Sequence, residues 1–214
     1  MRPAGCTKKQ LPKPLCNYER INDFTMADFK KAYDLTREFE GGYSNNPSDT
    51  GGETYKGVAR NRQSKWKGWK IVDQLRKQPN FPKNLDSNKE LQALVHELYK
   101  KEYWDSMRLD EVKDQRIANE LFDTGVNMGI GRAGIFLQRV LNVANKGEKL
   151  YPNLKVDGQV GKITVAALNS HPEPRNILAA LNALKGAQYI TICENNPSQE
   201  VFFNGWMKRV FNYK

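Results

Sequence analysis

The sequence has little histidine, little cysteine and no long apolar run. His96 and His171 are its two histidines, and no HExxH or CxxC spacing occurs. A zinc site takes three or four ligands from His, Cys, Asp or Glu, so this supply argues against a zinc-dependent amidase or endopeptidase, and no metal or cofactor is expected. The three cysteines, Cys6, Cys16 and Cys193, are odd in number and irregularly spaced. That excludes a disulfide framework and leaves open one local bridge, Cys6–Cys16. No stretch approaches the roughly 18–20 apolar residues of a membrane span, so membrane insertion is not expected. The basic N-terminus has no apolar segment of the secretory type. The chain is therefore expected to be made in the cytoplasm without a signal peptide and to leave by another route, such as a pore or lysis. Strand signals are almost absent, and no solenoid-type repeat occurs.

What is present is positive charge and helical periodicity. The 214 residues carry a formal charge of +10. Residues 1–25 contribute three of these charges through Arg2, Lys8, Lys9, Lys13 and Arg20, set against Glu19 and Asp23. A basic surface favours nucleic acid, anionic lipid or a cell wall rich in carboxylates and phosphates. No helix-turn-helix, zinc-finger or RNP-type aromatic pattern accompanies the charge, so nucleic acid is not the expected partner. Oligomeric state is not legible.

Residues 1–25 hold three prolines and no helical period, and read as a flexible extension. From Met26, the residues Phe29, Ala32, Tyr33, Leu35, Thr36 and Phe39 recur at three- and four-residue steps, an apolar helical stripe. Gly41-Gly42 ends it. Residues 43–57, rich in Gly, Asn, Asp, Pro, Ser and Thr, read as a loop or short hairpin. Short helices are expected within 58–77, and longer ones over 88–107, 115–128, 132–144, 160–170, 174–194 and 199–211. Gly125, Gly129, Gly131 and Gly134 suggest close helix approach or a sharp turn. The fold class is mainly α, with any sheet confined to about 43–58.

One stretch carries candidate chemistry. Glu40 closes the first helix, Asp49 follows nine residues on in a Gly/Asn/Pro loop, and Thr54 lies five further. Glycosidic cleavage uses two carboxyl functions in different environments, one protonated and one ionised. A helix C-terminus disfavours an ionised carboxylate, and partial burial against Tyr43 or Phe39 acts the same way. Both favour Glu40 as a general acid. Asp49, among turn residues, stays ionised, and Thr54 suits the orienting of a water. Glu53 competes for the role of second carboxylate. The plainer reading of the same residues is a surface glutamate before a glycine cap and an aspartate in a turn, and spacing alone does not decide between them.

The run Glu40-Gly41-Gly42-Tyr43, with Asn46-Pro47-x-Asp49-x-Gly51-Gly52-x-Thr54 and Gly57, resembles glycoside hydrolase family 108, a group of N-acetylmuramidases, some filed as secretion activators. Phe122-Asp123-Thr124-Gly125-Val126-Asn127-Met128-Gly129 resembles that family's second helix motif. Val156-Asp157-Gly158-x-x-Gly161-x-x-Thr164-x-x-Ala167-Leu168-Asn169 resembles its C-terminal peptidoglycan-binding segment. The ending Phe203-Asn204-Gly205-Trp206-x-x-Arg209-Val210 fits as well. The resemblance spans roughly 27–211 with four motifs in order. It implies a lysozyme-like helical region over 26–130 and a helical peptidoglycan-binding-like region over 131–214 packed on the same core. It implies bacterial peptidoglycan as partner and hydrolysis of its β-1,4 glycosidic bond, with Glu40 as the acid. It suggests supporting roles for Asp49 and Thr54. Lys56, before Gly57, departs from the expected pattern and adds positive charge near the presumed cleft.

Tyr43 and Tyr55, in the loop, are candidates for stacking on sugar rings. Asp123 and Asn127, four apart on one helix face, are candidates for binding sugar polar groups; the alternative is an internal network that fixes helix packing. The Asp157-Gly158 turn reads as a brace for the C-terminal helices, with wall binding as the second reading. A lytic transglycosylase and a non-catalytic wall-binding or secretion-assisting module are the competing functions.

Overall fold

The computed structural model describes residues 26–37, 41–46 and 52–210. The expected extension over 1–25, Cys6, Cys16, Glu40 and Asp49 lie outside the described residues. Within them the chain is mainly helical, with one small antiparallel sheet.

Helix α1 (Phe29–Arg37) starts at Asp28, whose carboxylate accepts the Lys31 amide at 3.0 Å. Such a bond satisfies an N–H that has no partner inside the helix. Its buried face is the apolar stripe read from the sequence: Phe29, Ala32, Tyr33 and Thr36. Phe29 meets His96, Trp104 and Phe122 edge-on, with centroids 4.8, 5.5 and 5.6 Å away. These contacts lock α1 against α4 (Lys89–Tyr99) and α5 (Gln115–Met128).

The sheet has three two-residue strands in the order β1 (Tyr43–Ser44), β2 (Thr54–Tyr55), β3 (Val58–Ala59). Tyr43 stands opposite Tyr55, and Tyr55 opposite Val58. The β2–β3 turn is Lys56-Gly57, with φ of 46° and 79°. Two positive-φ residues make the tight hairpin whose twist matches that of paired strands. The short helices α2 (Gly68–Leu75) and α3 (Asn84–Ser87) follow.

The helix expected over 88–107 is not uniform. Asn88 caps α4 by accepting the Leu91 amide at 2.8 Å. After Tyr99 the ladder widens into a π turn over Lys100–Trp104, in which the Asp105 amide donates to the Lys100 carbonyl. A single 3₁₀ turn, Asp105–Met107, ends it at Arg108, where φ is 55°. The wider turn lets Tyr99 and Trp104, five apart, both reach the core, at 2% and 0% exposure. Trp104 then donates from Nε1 to Asp110 at 2.5 Å.

Asp114 caps α5 through the Arg116 and Ile117 amides. Gly129, with φ of 87°, separates α5 from α6 (Ile130–Ala144). The Asp157-Gly158 turn packs on α6 so closely that a Cβ on Gly134 would lie 2.1 Å from the Gly158 carbonyl oxygen. Gln138, 1% exposed, binds the turn: its Oε1 accepts the Asp157 and Gly158 amides, and its Nε2 donates to the Asp157 carboxylate. Helices α7 (Lys162–Ser170), α8 (Pro174–Asn195) and α9 (Glu200–Val210) complete the fold. One buried apolar cluster runs from Ala27 to Leu181 and joins both halves of the chain.

Candidate active site

The C-terminal end of α1 and the sheet flank Glu40 in sequence. Arg37 donates to the Tyr33 hydroxyl at 3.1 Å, and its charge reaches both Tyr55 and Asp86. The described chain resumes at Gly41, and the Gly42 carbonyl accepts the Lys56 amide at 3.0 Å. Glu40 is therefore bracketed in sequence by two anchored segments, the end of α1 and the Gly42–Ser44 edge of the sheet.

Lys56 holds this corner from within. It is 8% exposed; its Nζ lies 2.6 Å from Gln92 Oε1 and 2.9 Å from Asp86. Its carbonyl accepts the Tyr99 hydroxyl at 2.9 Å. The expectation that it adds charge to a cleft is corrected: the ammonium turns inward onto its own partners. The hydrogen bond from Lys56 holds the Asp86 carboxyl below the usual carboxylate range.

Tyr55 also departs from expectation. It is 1% exposed, and its hydroxyl bonds Gln92 at 2.7 Å and Asp86 at 3.1 Å. Its ring offers no free face to a sugar, because strand alternation turns this residue into the core. Burial pushes its phenol up to about 12. Tyr43, its partner across the strands, is half-buried and meets Phe81 edge-on at 4.8 Å. Burial and a hydrogen bond to Glu53 raise the Tyr43 phenol. Thr54 is half-buried, and its hydroxyl donates to the Gly52 carbonyl at 3.2 Å.

Glu53, the rival carboxylate, is 9% exposed and held by cations. Arg60 Nε lies 2.7 Å away, and Arg76 donates to its other oxygen. Arg60 also grips Asp73 through both terminal nitrogens, and this hydrogen bonding lowers the Asp73 carboxyl. Arg60 further lies 4.4 Å over the Trp69 ring. These arginines make Glu53 a structural anion that ties the sheet to α2. Sequence reasoning missed them, and their spacing along the chain gives no signal.

Asp123 and Asn127 do not join this site. Asp123 faces α8 and α9, 2.8 Å from both Lys185 Nζ and Arg209. Lys185 is fully buried and also reaches Glu120 at 2.9 Å, while Thr124 donates to the other Glu120 oxygen. Asn127 is exposed, but its amide donates back to the Asp123 carbonyl at 2.8 Å. The expectation of sugar binding by Asp123 is corrected: its carboxylate already bridges two cations within an internal network. Burial raises the Glu120 carboxyl. Burial opposes the Lys185 ammonium, yet the Glu120 and Asp123 carboxylates outweigh it and raise Lys185. The signal for this network was in the sequence: Lys185 stands on the same helical stripe as Leu178, Leu181 and Tyr189. Among the described residues, no three His, Cys, Asp or Glu side chains converge as a metal site.

Comparison with known proteins agrees with this architecture. The solved structure "Structure of Brucella abortus SagA" superposes with a TM-score of 0.59 at 23% identity, covering 86% of this chain and 90% of that one, a likeness of fold. No curated protein matches the chain. Residues 33–129 match the family model for glycosyl hydrolase 108, and residues 132–211 match a predicted peptidoglycan domain. The chain thus joins a region similar to glycosyl hydrolase 108 to a C-terminal region similar to a predicted peptidoglycan domain.

Proposed function

We propose that this protein hydrolyses the β-1,4 bond between N-acetylmuramic acid and N-acetylglucosamine in bacterial peptidoglycan, with Glu40 as general acid. The observation that carries the reading is the order of two family matches on one chain. The glycosyl hydrolase 108 match spans Glu40, and the peptidoglycan domain follows directly. In sequence Glu40 falls between α1, which ends at Arg37, and β1, which begins at Tyr43. Asp49 and Thr54 act with it: the carboxylate stabilises developing positive charge, and the threonine oxygen orients a water. Tyr43 contributes the accessible part of its ring to the sugar. The basic chain favours a wall bearing carboxylates and phosphates. The protein acts on that wall after export or release.

The test is Glu40→Gln on purified walls, with thermal unfolding alongside. The expected outcome is loss of turbidity clearing with a melting temperature near that of the wild type. Retained clearing sinks the assignment. Binding without clearing by the wild type favours a non-catalytic wall-binding module. Mass analysis of the products separates hydrolysis, which adds water, from transglycosylation, which leaves an anhydro-sugar.

A further inference from the structure

The peptidoglycan domain carries a groove that none of the residues discussed so far explains. It encloses about 870 Å³ between the loop before α7 and α7 itself, with Tyr151, Leu154, Gln159 and Ala167 among its walls. That size lies within the range of ligand pockets, roughly 300–1,000 Å³. Most of its surface is apolar.

Its charged lining is two lysines and one carboxylate, Lys155, Lys162 and Asp157. Gly161, Lys162, Ile163 and Thr164, the first turn of α7, line it. No side chain caps this helix start. Leading amides of a helix carry partial positive charge and bind anions. Thr164 is 4% exposed and makes no side-chain hydrogen bond among the described residues, although it lines the groove. Its hydroxyl is not among the fully buried unpartnered atoms, so it remains reachable as a donor beside these amides. Lys155, whose side chain is 86% exposed, and Lys162, also exposed, stand at the rim. The one carboxylate in the wall, Asp157, already accepts from Gln138 and from the Gln159 amide, and lies 3.9 Å from Lys155.

We propose that this groove binds the peptide stem of peptidoglycan, seating a free carboxylate on the α7 N-terminus, Thr164 and Lys162, with small methyl side chains along the apolar wall. The two lysines and the helix amides favour an acidic peptide, and the largely apolar surface suits its small aliphatic side chains. The proposal deepens the reading of a wall hydrolase and assigns the peptide, rather than the glycan, to the C-terminal half.

The experiment uses the full chain and four soluble probes: an acidic stem peptide with free carboxylates, the same peptide fully amidated, a peptide-free glycan oligomer, and inorganic phosphate. Affinity is read by calorimetry, and the site by NMR shifts at the Lys162, Ile163 and Thr164 amides. The acidic peptide is expected to shift these amides and to bind about tenfold more tightly than its amidated form, the change expected for losing one charge-assisted contact. Thr164→Val and Lys155→Glu/Lys162→Glu are each expected to weaken it by a similar factor. Both variants are expected to leave peptide-free glycan turnover unchanged and to raise KM on peptide-bearing wall. Equal binding of the amidated peptide, equal binding by both variants, or shifts confined to other amides overturns the proposal. So does preferential binding of phosphate or of the bare glycan. If Glu40→Gln retains wall lysis, the catalytic reading fails, while the peptide-binding result is read independently of it.

Discussion

The Lys56 amide donates to the Gly42 carbonyl at 3.0 Å, while the Lys56 carbonyl accepts the Tyr99 hydroxyl at 2.9 Å. One peptide segment thus joins the chain just before β1 to α4. Lys56 occupies a positive-φ turn position, where asparagine is tolerated and a β-branched residue is not. Lys56→Val is expected to cost about 2–4 kcal/mol, combining backbone strain with lost polar contacts. Lys56→Asn keeps the turn and is expected to cost less. Urea unfolding checks this, and equal losses in the two variants would show that the turn is not what matters.

Two glycines three residues apart on α6 make a sharper contrast. A Cβ on Gly131 meets nothing within 4 Å, whereas one on Gly134 would overlap the Gly158 carbonyl. Gly131→Ala is expected to be neutral or to stabilise by up to about 1 kcal/mol through helix propensity. Gly134→Ala is expected to destabilise by about 3 kcal/mol or more, since the obstacle is backbone and overpacking strains the chain. Denaturant midpoints for the pair decide it, and equal behaviour refutes the close packing.

The network around Lys185 should be strongly coupled. Lys185→Met leaves Glu120 and Asp123 buried with one fewer cation, at an expected cost of about 3–5 kcal/mol. Adding Glu120→Gln removes one stranded charge and should recover part of that loss. A double-mutant cycle is expected to show coupling of about 1–3 kcal/mol. Additivity would mean that the two side chains do not interact.

High pH should attack the same region. Tyr189 is 2% exposed and its hydroxyl has no hydrogen-bond partner among the described residues; burial pushes its phenol up to about 12. Lys185 is raised as well. Both groups keep their protons longer when folded than when unfolded. Their contributions are therefore complete below the unfolded values, about 10 for tyrosine and 10.4 for lysine, and are lost as pH rises through the folded ones. Stability is expected to fall above about pH 10. Tyr189→Phe should flatten that fall and, at neutral pH, gain about 1 kcal/mol by removing an unpartnered hydroxyl. Unfolding curves at pH 7 and between pH 9 and 12 test both parts. An unchanged alkaline profile assigns the effect to Lys185 alone.

Local pattern made much of the fold legible. The stripe from Phe29 to Thr36 became the buried face of α1, and the starts of α4 and α5 lie at the capping residues Asn88 and Asp114. The π turn after Tyr99 was not legible, because it answers to the burial of Trp104 rather than to helix period. At the candidate site, composition marked 43–57 as turn-rich but could not say which residues face inward. Two-residue strands have too little pattern to display alternation, so Tyr55 and Lys56 looked exposed. Asp123 resembled a cleft residue because its cations come from Lys185 and Arg209, which only the packing of α8 and α9 brings near. Glu40 and Asp49 lie outside the described residues.

The same packing bears on how this protein can be recombined. Asp123 and Glu120 lie within the glycosyl hydrolase match, while Lys185 and Arg209 lie within the peptidoglycan domain match. The boundary between the two families thus runs through a shared ionic lattice rather than a linker. A chimera cut near residue 130 would strand acidic groups on one parent and basic groups on the other. Grafting either half onto a foreign partner calls for transplanting all four side chains together.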